Sequence, residues 1–592
     1  MFLITSADQK YWKTKEKALF LGKWCKLFSQ KDIWENMTYD VLPYHWDDRH
    51  KLYRDYLYLD KLYENTLLFL SERLNQIHGV NHTTRYWRII IGPWLFYFIQ
   101  IFFDRYASII KAEKYNVKST IINQSKRENW IPKDYREFIR WIEKDEYNHY
   151  LYSRIIECIN RIPFETKKMK TINYLKSKNF NTKAKFSHSL KKNIGFLLKL
   201  YERFIPNKFN KIFLISSHLS YLDQIKLYIS LKQFPCFSSA KVITPKSNIK
   251  WDLREKLSFK SFNNEFEELL SKIIIDQMPS VYIEGYRKMN KASLDSYPSH
   301  PKVIINGNAF NSNDSFKFWA AFYADCGAKF AGVQYGGHYG SGLWSSMEKH
   351  EIRIYDRYYT WGWESKEFKN TKPLSAAKLN LIIKKARPEK DGKILLLLTS
   401  FPRYSYYMYS IPVASSGTLA YFNDQFRFIK ALSKKNQNLL LVRLYQHDYK
   451  WSQKKRWLYE FPHIECDIGK KSMLCQLKKS RLLICTYNAT AFLETFAANY
   501  PTLLFWNPNH WELRPSAKPY FNELRNVGIL HDSPESAAKK ANEISEDPNS
   551  WWNQHKIQSA KNNFCNQFVH TSCNWLNEWI KEIKSLESLN IT

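Results

Sequence analysis

Glycine is scarce in this chain, at 17 of 592 residues, well under half the usual share of about 7%. That excludes a collagen-like repeat, and it makes any clustering of glycines informative. The nine cysteines form no CxxC pair and no Cys/His set with zinc spacing, so neither a disulfide framework nor a zinc module is expected. Their scatter and odd number suit a reducing cytosol. No apolar run reaches the ~20 residues of a membrane span. The longest, Ile89 to Phe103, has Gly92 and Pro93 inside it and reads as a buried helix. The first residues run into Lys10, Lys13, Lys15 and Lys17 without an apolar core, which is not the pattern of a signal peptide. DxD triplets are missing, and so is a Walker lysine. Hydrophobic residues at 44% and charged residues at 25% exclude a largely disordered chain.

Basic side chains, by contrast, are abundant. The formal net charge is +34, which favours anionic partners: nucleic acid, anionic lipid or phosphorylated metabolites. Aromatic residues make up 17%, so extensive ring packing is expected.

The length suggests several domains. Residues 1–205 read as a basic helical region, with apolar residues at helical spacing from Tyr53 to Ile77 and from Tyr135 to Ile162. The stretch Lys167 to Tyr201 holds ten lysines and no acid, either a solvated face or a surface for anionic lipid. From residue 206 strands and helices alternate, as in an α/β unit with a parallel sheet. Strands are expected at 211–216, 280–283, 302–306 and 329–334, and helices at 221–232 and 315–325. Residues 366–390 read as a linker. A second α/β unit follows at 391–550, with strands at 393–398, 438–443, 481–485 and 501–505. A Trp-rich helical tail closes the chain at 551–592. Paired doubly wound units place a ligand in the cleft between them.

Seven of the 17 glycines lie between Gly327 and Gly362. Their centre, Gly332-Val-Gln-Tyr-Gly-Gly-His-Tyr-Gly340, follows a strand, where α/β proteins bind ligands. Gly336 and Gly337 would let the backbone approach a ligand. Gln334 and His338 can donate to an anionic oxygen or move a proton; the alternative is a tight structural turn. Asp314 is either a first-turn helix residue or a cleft carboxylate acting as base or nucleophile. His218 and Asp223 sit in the same place after an earlier strand. In the second unit, Asn488 and Thr490 open a helix whose N-terminus suits phosphates. Glu494, one turn on, can accept from ribose hydroxyls. Alternatively Asn488 is the cap and Glu494 a surface acid. Arg443 and His447 end the preceding strand, and Arg443 or Arg514 can pair with phosphate.

Several segments together look familiar: Tyr86-Trp-Arg-Ile-Ile-Ile-Gly-Pro-Trp94 with Asp104-Arg105, Asp314-Ser-Phe-Lys-Phe-Trp-Ala-Ala321, the glycine-rich loop, Asp356-Arg-Tyr-Tyr-Thr-Trp-Gly-Trp363 and Thr490-Ala-Phe-Leu-Glu494. On these the chain resembles a transferase family of leptospiral-type O-antigen gene clusters, from about residue 80 to 570. The resemblance implies surface polysaccharide synthesis and a fold like that of the two-Rossmann (GT-B) glycosyltransferases. The threonine–helix–glutamate element is also similar to the nucleotide sites of sialyl- and Kdo-transferases, which implies a CMP-linked donor by analogy. Where the family loop reads Gln-His-Gly-Gly, this chain has Tyr335, and His338 would have to supply the imidazole.

The expectation is therefore a cytoplasmic glycosyltransferase, peripheral on the inner membrane. It would use a nucleotide sugar, a glycan or lipid-linked acceptor, and no metal or other cofactor. Residues 206–365 would supply acceptor and catalytic groups, and 391–550 would hold the nucleotide. Nucleic acid is not expected as a partner, because no recognised motif accompanies the charge. The rival readings are a basic protein binding single-stranded nucleic acid and a non-catalytic scaffold of the same fold.

Overall fold

The computed structural model describes residues 1–168, 210–235, 244–405 and 407–588. The described residues contain three wholly parallel sheets. The first is built from β1 (Phe2–Ile4), β2 (Ala18–Phe20), β3 (Tyr39–Val41), β4 (Ser119–Gln124) and β5 (Phe164–Lys168). Between β3 and β4 run two long helices, α1 (Arg49–His78) and α2 (Thr84–Glu113). They are separated by Gly79 in the left-handed conformation and by Thr83, whose hydroxyl accepts from Tyr86 N.

The second sheet contains β6 (Ile212–Ile215), β7 (Val303–Asn306), β8 (Lys329–Val333), β9 (Arg357–Thr360) and β10 (Thr371–Pro373). Helix α3 (Tyr221–Ser230) follows β6, and α4 (Asp314–Asp325) follows β7. The third contains β11 (Lys393–Leu397), β12 (Leu440–Arg443), β13 (Glu465–Asp467), β14 (Ser480–Cys485), β15 (Thr502–Phe505) and β16 (Leu530–His531), with α5 (Thr490–Ala497) after β14. Helices α6 (His555–Phe568) and α7 (Trp575–Glu587) end the described chain.

Sheet three has the order β13-β12-β11-β14-β15-β16, the 3-2-1-4-5-6 order of dinucleotide-binding folds. Its central strands are short, and past Lys393 and Arg481 their residues are buried and mostly apolar, as a parallel sheet covered on both faces requires. Sheet two runs β10-β9-β8-β7-β6. The α/β class with Rossmann-like units is as expected.

Three expectations need correction. Residues 1–168 are not purely helical, because sheet one, ordered β3-β2-β1-β4-β5, is a further doubly wound unit. β1 and β2 are three residues each and wholly buried, too short for a period to show. Residues 280–283 are a 3-10 turn, not a strand. The expected linker 366–390 is folded in: β10 is the edge strand of sheet two, where Pro373 needs no ladder donor, and Asn380–Lys385 is helical. The lysine-rich stretch 167–201 lies, from residue 169 on, outside the described residues.

The apolar run Ile89–Phe103 is the middle of α2. This helix is long and apolar enough to span a membrane, yet 89% of its most apolar window is buried inside the protein. The C-terminal tail straps the two later units together. α6 packs on α5, and α7 returns to α3 and β7. Trp579 Nε1 donates to Ser375 O (3.0 Å), and Lys372 pairs with Glu582 (2.6 Å).

Candidate active site

In a 3-2-1-4-5-6 sheet the strand order reverses between the first and fourth strands, and the carboxyl ends there open a crevice. In sheet three those strands are β11 and β14. The long connection after β11 is rich in tyrosine, and the loop after β14 leads into α5. In sheet one the equivalent crevice is filled by the protein itself. Arg403, from the connection after β11, pairs with Asp145 and donates to the Trp24 carbonyl. Tyr404 OH also donates to Asp145 (2.7 Å), and Arg403 and Asp145 are both buried. The N-terminal unit thus holds the β11 connection in place.

The glycine-rich loop after β8 is sewn to sheet three by backbone. Gly342 bridges Leu513 and Ser345 bridges Tyr409, both antiparallel. Leu343 N donates to Glu512 O, and Arg514 N to Ser341 O. At the centre, Gly337 N donates to Thr490 Oγ1 (2.8 Å). A Cβ on Gly337 would lie 2.4 Å from Ala489 C and 2.5 Å from Thr490 N, so only glycine allows this approach. Gly340, at φ +75 with the Trp363 ring beneath it, is the second enforced glycine. Thr490 opens α5 behind Ala489, a cap residue that makes no side-chain cap bond.

The residues singled out in the sequence divide sharply. Gly336, Gly337, Asn488, Thr490 and His338 meet in this seam. Asn488 Nδ2 lies 3.5 Å from Ser341 Oγ, and Asn488 is not the helix cap. His338 has φ +62, its ring lies 5.2 Å from that of Tyr409, and its Nε2 has no protein partner. Burial, with Arg514 nearby, pushes the imidazole down to about 4, so it is neutral at neutral pH.

Glu494 is partly buried; burial raises its carboxyl, and Lys378 is its opposing charge. Burial likewise lowers Lys378, whose ammonium donates to the Tyr335 carbonyl and lies over the Trp361 ring at 5.7 Å. Lys378 was hidden in the supposed linker and gave no sequence signal.

The others are engaged elsewhere. Asp314 is no cleft base: its carboxylate accepts from Tyr135 N (2.9 Å) and Tyr282 OH (2.7 Å) and pairs with Lys317 (2.6 Å), all out of contact with solvent. Gln334 accepts from Trp361 N and Trp363 Nε1 and donates to Gly336 O, so its amide shapes the loop. Arg443 pairs with Asp467 and donates to Lys471 O. Arg514 pairs with Glu348 (2.7 Å) and donates to Gly342 O. Neither guanidinium is free for phosphate. His447 bonds Glu143 of the N-terminal unit (2.8 Å). Asp223 is held by Ser220 at the start of α3, while His218 is exposed and its ring is 5.7 Å from that of Tyr335.

Rings continue from there across the seam. Tyr335 lies 6.0 Å from Tyr339, Tyr339 5.4 Å from His338, and Tyr407 4.5 Å from Tyr409. Beneath them Glu351 receives Tyr339 OH (2.6 Å) and Tyr358 OH (2.9 Å). Burial pushes its carboxyl up to about 8. Among the described residues no group of three or more His, Cys, Asp or Glu side chains is placed to hold a metal.

The fold and the seam define an α/β protein in which a glycine-rich loop of one parallel-sheet unit meets a helix N-terminus of the next. The family follows from the sequence: residues 1–583 match the LIC12162 family transferase model, and the chain belongs to that family. It is a transferase. No curated protein matches the chain. Among solved structures it is similar to the wall teichoic acid polymerase TagF (10% identity, TM-score 0.27, covering 51% of this chain and 85% of that one). It is also similar to WaaG, a glycosyltransferase involved in lipopolysaccharide biosynthesis (10% identity, TM-score 0.26, covering 50% and 94%). Likenesses at that level are too distant to assign a fold.

Proposed function

We propose that this transferase moves a sugar from a nucleotide-sugar donor to a glycan or lipid-linked acceptor in surface polysaccharide (O-antigen or capsule) synthesis, in a GT-B arrangement of its second and third units. The observation that carries the reading is the 2.8 Å bond from Gly337 N to Thr490 Oγ1. It brings a glycine-rich loop of one sheet onto an uncapped helix N-terminus at the order reversal of the other. Such an N-terminus, with no side-chain cap and a threonine hydroxyl at its start, attracts phosphate. Glu494 is within a turn of it and suits ribose hydroxyls.

In the transfer, the bond from the sugar carbon to the donor phosphate breaks as the acceptor oxygen bonds to that carbon. The acceptor proton passes to a base. His338, neutral and with Nε2 unpartnered, is that base in this reading; Asp314 has no part in it. Lys378 and the α5 terminus neutralise the departing nucleotide, with no metal required. A CMP-linked donor is the first to try. The nucleotide donor sets the reaction on the cytoplasmic side.

Calorimetric titration of CMP-, UDP- and GDP-sugars into the wild type, Thr490→Ala, Glu494→Gln and Lys378→Met tests the site. At least one donor should bind the wild type, and each variant should weaken it by about 10- to 100-fold. Equal affinity in all four proteins refutes the assignment.

A further inference from the structure

Helix α3 carries two apolar stripes on opposite sides. Leu227, Tyr228 and Leu231 are buried against the protein. Leu222, Ile225 and Ile229, spaced i, i+3, i+7, point the other way. Leu222 is 69% exposed and Ile229 66%. Isolated exposed apolar residues need no explanation, but a cluster of them marks a surface that meets something. Lys226 lies on the same outer face and Lys232 just beyond the helix end, both exposed, and the whole chain carries +34. Asp223, the acid of the helix, is buried and held by Ser220. An apolar stripe flanked by lysines suits a surface that is apolar beneath and anionic above, which is the interface of an acidic bilayer. A second copy of this chain would bring the same positive charge against itself.

We infer that the outer face of α3 docks on anionic lipid membranes, with Leu222 and Ile229 entering the headgroup layer and Lys226 and Lys232 meeting lipid phosphates. This goes beyond the sugar-transfer reading and stands without it. The two are linked spatially, because the loop carrying His218 runs directly into α3, so the docked face adjoins the proposed crevice.

The test is co-sedimentation of the full chain with vesicles of equal parts phosphatidylglycerol and phosphatidylcholine, and with pure phosphatidylcholine. The wild type should bind the acidic vesicles, and added salt should weaken that binding. Leu222→Glu/Ile229→Glu should reduce it by about tenfold or more, and Lys226→Glu/Lys232→Glu should reduce it too. Because these side chains are exposed, both double variants should keep the wild-type melting temperature and, towards a water-soluble acceptor, the wild-type transfer rate. Failure of the sugar-transfer reading would appear in the donor titrations and leave vesicle binding intact. Undiminished vesicle binding by Leu222→Glu/Ile229→Glu overturns the inference. So does a wild type that ignores vesicles, or one that is a dimer in solution and becomes monomeric in that variant, which would show the face covered by a second copy.

Discussion

At the scale of single residues, the chemistry of a side chain was visible in the sequence and its environment was not. Asp314 was read as a first-turn helix residue or a cleft carboxylate, and Lys317, three residues on, is its partner. Only the packing of Tyr135 and Tyr282 around them turns the pair inward and removes Asp314 from the cleft. Glu351 gave no sequence signal, since nothing local distinguishes a surface glutamate from one buried against Tyr339 and Tyr358. Its behaviour with pH follows from that burial. An ordinary glutamate titrates near 4.3, while Glu351 in the fold titrates at about 8. Below the lower value folded and unfolded chains both hold the proton, and the group does not disfavour folding. As pH rises from there to about 8 the unfolded chain gains by ionising, and stability falls by about 1.4 kcal/mol per pH unit from this group alone. Glu351→Gln should remove that slope. Denaturant melts from about pH 5 to pH 8 should show the variant gaining on the wild type as pH rises. A constant difference would mean that Glu351 is ionised in the fold.

Among elements, the strand–loop–helix units of the second and third sheets were readable, because buried parallel strands are short apolar runs bounded by polar loops. β8 lies within a residue of its expected ends, and α5 begins at Thr490, in the segment expected to open it. The glycine cluster also signalled a close backbone approach. What it approaches is another loop of the same chain, so two separate candidates, Gly337 and Thr490, prove to be one contact. Gly337→Ala places a Cβ against two backbone atoms that cannot give way. The seam should open, at a cost of about 1–3 kcal/mol in stability and with at least tenfold weaker donor binding. Thermal melts and the donor titration read both, and a variant matching the wild type in both would show that the seam is dispensable. Arg443, Arg514 and Gln334 went astray for one reason: a polar residue at a strand end can face a ligand or brace a neighbouring loop, and spacing along the chain does not distinguish the two.

For the whole molecule, the tail and the N-terminal unit act as scaffold. α7 buries Trp579, Ile583 and Leu586 on the second unit, while α6 sits on the third. Removing residues 570–592 would expose apolar surface of about 1.5–3 kcal/mol per side chain, comparable with the whole stability of a domain. The truncated chain should be insoluble or lose its cooperative melt. A soluble product melting like the full chain would show that the strap is ornamental. The sequence by itself determined the class, since periodicity and burial of apolar runs are local properties, and it determined the family through motifs spread over nearly the full length. Tertiary structure alone decided that the N-terminal region contains a sheet, that Arg403 plugs that sheet's crevice, and which polar candidates face the seam. Ion pairs, hydrogen-bond partners and shifted protonation depend on side chains brought together from hundreds of residues apart, and no local pattern encodes such distances.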